Sequence, residues 1–443
     1  MRVIIVGAGK VGYSLAQYLA EEDHDVIVIE EDENRRNIIQ NSLDVMTVHG
    51  NGASLRVLME ADVRSADFMI AVTDSDEVNM VACMAAKQAG IKRTIARIRN
   101  IEDDNRAELE FHRQIGIDLT INPEYVTALE ISRTLLIPSA LEVEDFAHGK
   151  VRLLELKIRD ESTLLGTPIA DLPLPDKMLI VGILRQNKMI IPGGDDILKP
   201  RDNVFLIGEP HVLEGIQDEF TEKVAPIKKV MIIGAGRIGR WLAMILEKQG
   251  MTVKVIDQNL ERCQELAQRL KKGSVFCGEG TDIDLLLEEG VGDADAVVCL
   301  TDDDKLNLLL ALLAKELGTQ KTIARAGKTE YIPLMEKVGV DSVFSPRLIT
   351  AGFILNHLRA SNYVSTSMLE GEKAQAIEVI VSPTSKVVGK KLKEIKLPRN
   401  SLVGAIVHKR QVYVPNGESV LYPNDRAIIF ALQDTIGKIK KYF

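Results

Sequence analysis

The 443-residue chain has few aromatic residues and few cysteines, and each scarcity excludes a class of protein. Aromatic residues make up 4% of the chain against 46% for all apolar residues, so Ile, Leu and Val supply most of the hydrophobic content. This balance is typical of parallel sheets covered by helices and excludes fibrous and disordered chains. Cys83, Cys263, Cys277 and Cys299 show no C-x-x-C spacing, which argues against zinc and disulfides and fits a reducing cytoplasm. We therefore expect no metal site.

Long hydrophobic runs and an excess of basic residues are also missing. Apolar runs such as 308–314 and 427–432 are far shorter than the roughly 20 residues that span a bilayer. The apolar N-terminus breaks into a glycine loop after residue 6 and has no small-residue cleavage site, so we interpret it as a first strand rather than a signal peptide. A net charge of −9 with acids and bases interspersed predicts no nucleic-acid partner.

The chain repeats itself. The glycine-rich segment 7–12 recurs 227 residues later as segment 234–239, and the match then holds over about a hundred residues with one inserted residue. The back halves of the two copies match at an offset of 223, so that Pro192 and Gly194 correspond to Pro415 and Gly417. The organisation is therefore A-B-A′-B′.

The A and B segments predict different architectures. In A, short Val- and Ile-rich runs alternate with helix-length segments, which predicts successive βαβ units and a doubly wound parallel sheet. In B, short β runs are separated by Pro and Gly turns, with one short helical segment expected after Gly166. The predicted fold class is α/β: two Rossmann-like doubly wound parallel-sheet domains, each followed by a small α+β domain.

Each A segment carries the motif G-x-G-x-x-G in the context that binds dinucleotides. The motif follows an apolar strand, opens a helical pattern and precedes an acidic residue, Glu30 or Asp257, at the end of the next strand. The glycines allow the tight turn, the approach of backbone N–H groups to a pyrophosphate and close helix packing. We expect both acids to face an open crevice, accept hydrogen bonds from a ribose and repel a 2′-phosphate. The alternative is a glycine turn above an empty crevice.

Other repeated residues lie where strands end above the predicted crevice. Thr73 and Asp74 follow the fourth strand and Arg97 ends the fifth, and Thr301, Asp302 and Arg325 match them in the second copy. Two interpretations stay open: nucleotide contacts, or helix caps and structural salt bridges. Inside the glycine loops lie Lys10 and Arg237, whose cationic side chains could reach a terminal phosphate of this or a neighbouring subunit.

Two longer segments resemble a known family. Residues 71–83 read Ala-Val-Thr-Asp-Ser-Asp-Glu-Val-Asn-Met-Val-Ala-Cys, and residues 95–99 read Ile-Ala-Arg-Ile-Arg. Together with the paired glycine loops and the strand-two acids, they resemble the TrkA family, the peripheral subunits of Trk potassium transporters. Each half of such a subunit joins an RCK (KTN) nucleotide domain to a C-terminal module. Glu30 departs from the aspartate expected there, and Lys10 differs from Arg237.

The resemblance implies domains, binding residues and partners. The expected boundaries are 1–122 and 228–346 for the Rossmann-like RCK domains, 123–140 and 347–365 for crossover helices, and 141–222 and 366–443 for TrkA-C domains. The expected nucleotide-binding residues are Gly7, Ala8, Gly9, Lys10, Val11, Gly12, Glu30, Thr73, Asp74 and Arg97 in the first copy, and Gly234, Ala235, Gly236, Arg237, Ile238, Gly239, Asp257, Thr301, Asp302 and Arg325 in the second. The resemblance also implies a cytoplasmic protein held at the inner face of the membrane by a Trk-type potassium channel subunit.

Assembly and ligand choice follow from the same reasoning. Segments 125–136 and 348–358 are apolar at helical spacing, which fits crossover helices that pack against a neighbouring domain, or else helices within one domain. With the former, we expect a homotetramer. NAD(H) is the expected ligand, with ATP or ADP as alternatives, because all share the adenosine-ribose-diphosphate portion that these motifs recognise.

Two rival functions remain open. An NAD-dependent oxidoreductase needs an acid or base near the nicotinamide, yet the seven histidines occupy no repeated position and no catalytic constellation is recognisable. We therefore predict binding without turnover and assign no catalytic residue. The second rival is an RCK-type regulator of a different cation channel or of an antiporter.

Overall fold

The computed structural model describes residues 1–99, 106–137, 139–186, 188–221, 225–359, 365–369, 373–409, 411–439 and 442–443. The chain divides into two units: unit 1 comprises Met1–Ser132 and Ile227–Leu355, and unit 2 comprises Arg133–Pro226 and Asn356–Phe443. Each unit thus combines the matching segments of the two sequence repeats. No helix among the described residues is long and apolar enough to cross a membrane.

The first Rossmann-like domain of unit 1 alternates strands and helices. The strands are β1 (Arg2–Val6), β2 (Asp25–Glu30), β3 (Met46–His49), β4 (Phe68–Ala71), β5 (Arg93–Arg97) and β6 (Leu119–Ile121). The helices are α1 (Lys10–Glu21), α2 (Glu33–Ser42), α3 (Leu55–Glu60), α4 (Asp76–Ala89), α5 (Arg106–Gln114) and α6 (Pro123–Leu136). The strand order is β3-β2-β1-β4-β5-β6, and every neighbouring pair is parallel.

In the first small module, which belongs to unit 2, the strands are β7 (Ala140–Phe146), β8 (Val151–Lys157), β9 (Met178–Arg185), β10 (Lys188–Ile190) and β11 (Asn203–Gly208), followed by α7 (Pro210–Phe220). The sheet is antiparallel with the order β10-β9-β11-β8-β7. The short helical segment expected after Gly166 is the 3-10 turn Ile169–Asp171, which lies between Pro168 and Pro173. The module's α-helix, which begins at Pro210, was not predicted.

The second Rossmann-like domain repeats the first. Its strands are β12 (Lys229–Ile233), β13 (Thr252–Asp257), β14 (Ser274–Cys277), β15 (Ala296–Cys299), β16 (Lys321–Arg325) and β17 (Ser342–Phe344). Its helices are α8 (Arg237–Lys248), α9 (Leu260–Arg269), α10 (Ile283–Glu288), α11 (Asp304–Glu316), α12 (Ile332–Val338) and α13 (Pro346–Arg359). The parallel order β14-β13-β12-β15-β16-β17 matches the first sheet strand for strand.

The second small module completes unit 2. Its strands are β18 (Ser365–Leu369), β19 (Ala374–Ile380), β20 (Ser401–His408), β21 (Gln411–Tyr413) and β22 (Arg426–Leu432), and its helix is α14 (Ile436–Ile439). The antiparallel order β18-β19-β22-β20-β21 matches that of the first module.

The central strands of both parallel sheets are almost fully buried because helices cover both faces. In β1, residues Val3 to Val6 expose 1% or less of their surface, and β15 is buried over its whole length. Such strands are continuous in Val, Ile and Ala instead of alternating with polar residues, as expected for doubly wound sheets. The strand ends, where the glycine loops begin, are therefore held by a rigid core.

The two small modules share one hydrophobic core within unit 2. The rings of Phe205 and Phe430, one from each module, lie 5.6 Å apart. Glycines make room for this contact: a Cβ at Gly182 would lie 2.7 Å from the Phe430 ring, and one at Gly404 would lie 2.9 Å from Ile207. Ile207 and Phe430 are matching positions of the repeat. The two modules therefore pack through related surfaces with an approximate two-fold relationship.

Candidate functional site

The glycine loops connect the first strand of each Rossmann-like domain to the helix that follows. Gly7 and Gly234 have φ values of +101° and +114°, which favour glycine. A Cβ at Gly12 would lie 1.9 Å from the carbonyl oxygen of Gly7, so the third glycine is required for helix and loop to meet. The second glycines, Gly9 and Gly236, have no atom within 4 Å of the Cβ position, which leaves space for a ligand. The local geometry thus agrees with the roles expected for the three glycines.

The acids at the ends of β2 and β13 hold the glycine loops. Oε2 of Glu30 accepts a hydrogen bond from the N–H of Ala8 (2.5 Å), and Oδ2 of Asp257 accepts one from Ala235 (2.6 Å). The other oxygen of each carboxylate accepts hydrogen bonds from backbone N–H groups of the turn that follows. In the first domain, Oε1 of Glu30 accepts one from the N–H of Asp32 (2.9 Å). Both acids are only 8% exposed, so neither is as open to a crevice as expected, although Asp257 borders a cavity and Glu30 does not. The carboxylates are buried because they satisfy loop N–H groups.

A buried asparagine joins the ends of β4 and β5. Oδ1 of Asn79 accepts hydrogen bonds from the N–H and hydroxyl of Thr73 (2.9 and 2.8 Å), while Nδ2 donates to the carbonyl oxygens of Thr73 (3.2 Å) and Arg97 (2.9 Å). Asn307 makes the same four bonds to Thr301 and Arg325. Asn79 and Asn307 occupy matching positions of the repeat, but nothing in their spacing predicts this role.

The arginines at the ends of β5 and β16 form ion pairs with the neighbouring acids. Nη1 of Arg97 lies 3.3 Å from Oδ1 of Asp74, and Nη1 of Arg325 lies 2.8 Å from Oδ1 of Asp302. The arginines thus make the ion pairs of the structural interpretation, and nucleotide contacts stay a prediction. The threonines do not cap helices, because Ser75 and Asp303 are the N-caps of α4 and α11. Nε of Arg97 and of Arg325 finds no hydrogen-bond partner among the described residues.

Within unit 1, one cavity of about 1530 Å³ is lined by both glycine loops. We call its part beside loop 7–12 the first crevice and its part beside loop 234–239 the second crevice. Of the predicted binding residues, those that line the cavity are Ala8, Gly9, Lys10, Val11, Asp74, Arg97, Gly234, Gly236, Arg237, Ile238, Asp257, Thr301, Asp302 and Arg325. The other predicted residues, Gly7, Gly12, Glu30, Thr73, Ala235 and Gly239, do not line it. The volume exceeds the roughly 300–1,000 Å³ of a pocket for one drug-sized ligand.

Several lining residues were not predicted from the sequence, and two of them, Glu124 and Arg347, contact the opposite Rossmann-like domain. Glu124, in the first turn of α6, lies 3.6 Å from Nη2 of Arg97 and 3.8 Å from Nη1 of Arg237. Arg347, in the first turn of α13, donates to the hydroxyl of Ser14 and stacks over the ring of Tyr13 at 5.6 Å. The only sequence signal was their matching position after a proline.

The two crossover helices, α6 and α13, therefore contact the opposite Rossmann-like domain of the same chain. Besides the contacts of Glu124 and Arg347, the ring of Tyr125 in α6 packs edge-on against Trp241 in α8, with 5.1 Å between centroids. The segments called apolar at helical spacing do form helices over this region. The boundaries assigned to the crossover segments stay predictions.

No group of three or more His, Cys, Asp or Glu among the described residues is arranged to hold a metal ion. His408 does have an acidic partner that the sequence did not suggest, since its Nδ1 lies 2.6 Å from Oδ1 of the buried Asp425. This pair lies in unit 2, at the positions that match the bidentate pair of Arg185 and Asp202, so it belongs to the module's own structure.

Comparison with known proteins shows to which family the chain belongs. The family model described as TrkA-N domain matches residues 3–123 and 230–346, and the model described as TrkA-C domain matches residues 153–221 and 376–443. The chain belongs to the TrkA family. Curated members of this family include a Trk system potassium uptake protein TrkA homolog of Archaeoglobus fulgidus, 40% identical over 443 residues with both chains covered completely. The TrkA protein of Haemophilus influenzae is 34% identical and covers 100% of this chain and 98% of its own.

Solved structures agree with the RCK fold. The GsuK channel matches with a TM-score of 0.66 at 19% identity, covering 99% of this chain and 78% of that one. A GsuK channel bound to NAD matches with a TM-score of 0.65, covering 100% and 78%. The predicted fold class and family are thus confirmed. The curated relatives of this TrkA-family chain are named as potassium uptake proteins and not as enzymes, in agreement with the prediction of a non-enzymatic protein.

Proposed function

We propose that this TrkA-family chain is a cytoplasmic regulatory subunit of a Trk-type potassium uptake system, and that it binds NAD(H), ATP or ADP in both crevices and thereby gates a membrane potassium-translocating subunit. The observation that carries the proposal is the pair of intact glycine loops opening into one cavity. The relatives' names supply the transport system. Structural relatives described as bound to NAD and to ADP support the ligand class.

The first steps of binding follow from the loop geometry. Helices α1 and α8 begin at Lys10 and Arg237, so the free N–H groups of their first turns and the positive ends of their dipoles point toward the loops. An anionic diphosphate is stabilised at such helix ends. The space at Gly9 and Gly236 allows the phosphates to approach the backbone, and the cationic side chains that follow lie on the same side. The glycine loops would thus hold the diphosphate.

The ribose would be held by the acids, although these are already engaged. Each carboxylate oxygen has two lone pairs, and Oδ2 of Asp257 makes one hydrogen bond to a backbone N–H, which leaves acceptor capacity for a ribose hydroxyl. Because the same carboxylates hold the loops, they couple ribose binding to loop conformation. Their negative charge would disfavour a 2′-phosphate, so we expect NADH to bind more tightly than NADPH.

Some polar atoms at the cavity have no partner yet. Nε of Arg97, Nε of Arg325 and Oε2 of Glu124 are buried without a hydrogen-bond partner among the described residues. Buried polar groups in folded proteins are nearly always satisfied, so partners from a bound polar ligand or from its hydration would complete them. These atoms lie on both sides of the cavity, as expected if ligands occupy both crevices.

Regulation would work through a shift between conformations. Since Glu124 contacts both Arg97 of the first domain and Arg237 of the second loop, a ligand phosphate that binds Arg237 competes with an interdomain ion pair. A nucleotide changes the balance between two arrangements only through different affinities for them. The proposed consequence is a change in the homo-oligomer, which we expect to be a tetramer, that is transmitted to the membrane subunit.

The ribose site is tested with isosteric variants, which keep one acceptor oxygen for the loop N–H groups, whereas alanine would remove both. In Glu30→Gln, Asp257→Asn the charge is lost while the side-chain volume stays, and affinity for NADH and ATP should fall about tenfold to a hundredfold, as charged hydrogen bonds contribute about 1.5–3 kcal/mol each. Calorimetric titration of the full chain measures this. The control is Asp160→Asn, an exposed acid of unit 2.

The outcomes separate the parts of the proposal. Unchanged affinity in the double variant with an unchanged melting temperature shows that the acids do not bind ribose. Failure of the wild-type chain to bind NADH, ATP and ADP at millimolar concentration overturns nucleotide binding altogether. The partner is tested by potassium flux in vesicles that contain a Trk-type membrane subunit: a flux that does not respond to the added chain with nucleotide contradicts gating.

A further inference from the structure

The cations that line the two crevices match with one exception. Lys10 and Arg237 correspond in the repeat, as do Arg35 and Arg262, and all four line the cavity. The ion pairs of Arg97 and Arg325 with their neighbouring aspartates also correspond. The acids differ: Glu279 and Asp303 line the second crevice, where the first has Asn51 and Ser75 at the matching positions.

The exception is what the opposite domain contributes. Glu124 and Arg347 occupy matching positions, each directly after the proline that begins a crossover helix. Glu124 reaches the second glycine loop, where its carboxylate lies 3.8 Å from Arg237. Arg347 reaches α1 beside the first glycine loop, where it contacts Tyr13 and Ser14. The same position of the repeat thus brings an acid to the second crevice and a base to the first.

The contacts of these two residues fix where their charges act. Arg347 contacts the first turn of α1, three to four residues after Lys10, on the helix whose N-terminus follows the loop. Glu124 is half-buried, with 14% of its side chain exposed, and partly neutralises Arg237, the one cation inside the second loop. Charges within a partly buried cavity are screened less by salt than surface charges. The charge reversal therefore adds a base to the first crevice and an acid to the second, in the same direction as Glu279 and Asp303, although Glu124 also lies 3.6 Å from Arg97 of the first domain.

We propose that the two crevices select nucleotides by the charge of the group beyond the ribose diphosphate: the first crevice favours a nucleoside triphosphate, and the second favours a nucleotide with less terminal charge, such as a dinucleotide or a nucleoside diphosphate. This inference rests on the proposed function, since it presumes nucleotides in both crevices. A third phosphate in the first crevice gains a charge-assisted contact with Arg347. In the second crevice it meets the carboxylate of Glu124 instead.

The experiment measures the ratio of the dissociation constants for ADP and ATP at each crevice, in the full chain with a chelator so that no divalent cation alters the charge. Asp257→Asn weakens the second crevice so that the first is observed, and Glu30→Gln does the converse. We expect the ADP-to-ATP ratio of dissociation constants to be at least about tenfold higher at the first crevice than at the second. Raising the KCl concentration should reduce this difference.

Charge-removing variants assign the effect to the two residues. Arg347→Gln should lower the ratio at the first crevice about tenfold, and Glu124→Gln should raise it at the second about tenfold, with NADH affinity at each crevice changed much less. The controls are Arg56→Gln and Glu60→Gln, which remove the same charges from an exposed pair on α3. Melting temperatures near that of the wild type confirm folding.

Each result bears on the inference in a defined way. Equal ratios at the two crevices of the wild-type chain overturn it, and so do ratios that Arg347→Gln and Glu124→Gln leave unchanged while both crevices still bind NADH. If no nucleotide binds at all, the proposed function itself fails, which is a different result from binding without discrimination. A ratio that responds equally to the α3 controls shows an effect of net charge and also overturns the assignment.

Discussion

The two units of the chain differ in how closely their duplicated polar contacts match. In unit 1, Asn79 and Asn307 make the same four hydrogen bonds at the rims of the two crevices. In unit 2, the buried Glu155 accepts from the amide of Asn203 (2.7 Å), whereas its counterpart Glu378 accepts from the guanidinium of Arg426 (2.5 Å). The asparagines must satisfy particular backbone groups, while a buried acid requires only a donor of suitable reach. Contacts to the backbone are thus fixed by the fold, and contacts between side chains can change partner.

A second pair in unit 2 shows the same freedom. Arg185 forms two hydrogen bonds with Asp202 in the first module, at 2.9 and 2.7 Å, and His408 forms one with Asp425 in the second. Both aspartates are 2% exposed. The position of the aspartate is fixed because its second oxygen also accepts a hydrogen bond from the backbone, in the first module from the N–H of Lys199. The side chain that faces the aspartate differs between the modules.

The largest effect is expected where the two copies of unit 1 are identical. Asn79→Ala leaves the N–H of Thr73 and the carbonyl oxygen of Arg97 without their buried partner, and Asn307→Ala does the same in the second domain. Each unsatisfied buried group costs about 1–3 kcal/mol, so each variant should lose roughly 3–5 kcal/mol of stability. Urea unfolding followed by circular dichroism measures the loss. If the losses of stability in the two variants differ by more than about 2 kcal/mol, the two asparagines are not equivalent.

A smaller effect is expected where the modules of unit 2 differ. Arg426→Asn gives the second module the partner type of the first and should cost less than about 1 kcal/mol. Arg426→Leu removes the guanidinium donor from the 2% exposed Glu378, which keeps its hydrogen bond from the N–H of Ala147, and should cost about 1.5–3 kcal/mol. The order of the two melting temperatures tests this. If the asparagine variant is as unstable as the leucine variant, the partner is not exchangeable and the contrast with unit 1 is lost.

The smallest effect concerns an acid of unit 1 and depends on pH. Burial of the Asp341 carboxylate opposes its ionisation, but hydrogen bonds from Lys315 and Thr322 outweigh this, so that its pKa is held below the usual range. A lowered pKa means that the carboxylate stabilises the fold above its unfolded pKa and that this contribution is lost as pH falls through the folded pKa. Asp341→Asn should therefore cost about 1–2 kcal/mol at pH 7 and markedly less near pH 3.

Thermal unfolding of both proteins across this pH range is the measurement. Asp118→Asn, the matching change in the first domain, removes the negative charge that faces Lys87 and the N–H of Thr94 and should cost a similar amount at pH 7. A cost of Asp341→Asn that stays constant down to pH 3 would show that the ionised form contributes nothing special.

Features that each repeat determines locally could be predicted from the sequence. The third glycine of each loop has to be glycine because of its 1.9 Å approach to a carbonyl oxygen, and the alternation of apolar strands and helices is a property of neighbouring residues. Fold class and family followed from these patterns. The short helical segment expected after Gly166 forms as the 3-10 turn Ile169–Asp171, which prolines 168 and 173 on either side limit to one turn, whereas the α-helix from Pro210 was missed.

Features that depend on contacts across the chain could not be predicted. Glu124 and Arg347 are polar residues in the first turns of helices, and nothing in their own segments shows that they face the opposite Rossmann-like domain. The burial of Glu30 and Asp257 was also missed, because it depends on where the glycine loop lies relative to the end of the next strand. Side-chain surroundings of this kind are set by tertiary packing rather than by sequence spacing.

The glycine pair of unit 2 has a consequence for symmetry. Gly182 beside Phe430 and Gly404 beside Ile207 relate the two modules as the halves of an isologous dimer are related, although here one chain supplies both. In a dimer of identical half-length chains, any substitution in one half is repeated in the other. Joining the halves into one polypeptide removes that constraint, so matching positions such as 124 and 347 can carry opposite charges. The covalent link thus permits an asymmetric protein to be built on a two-fold frame.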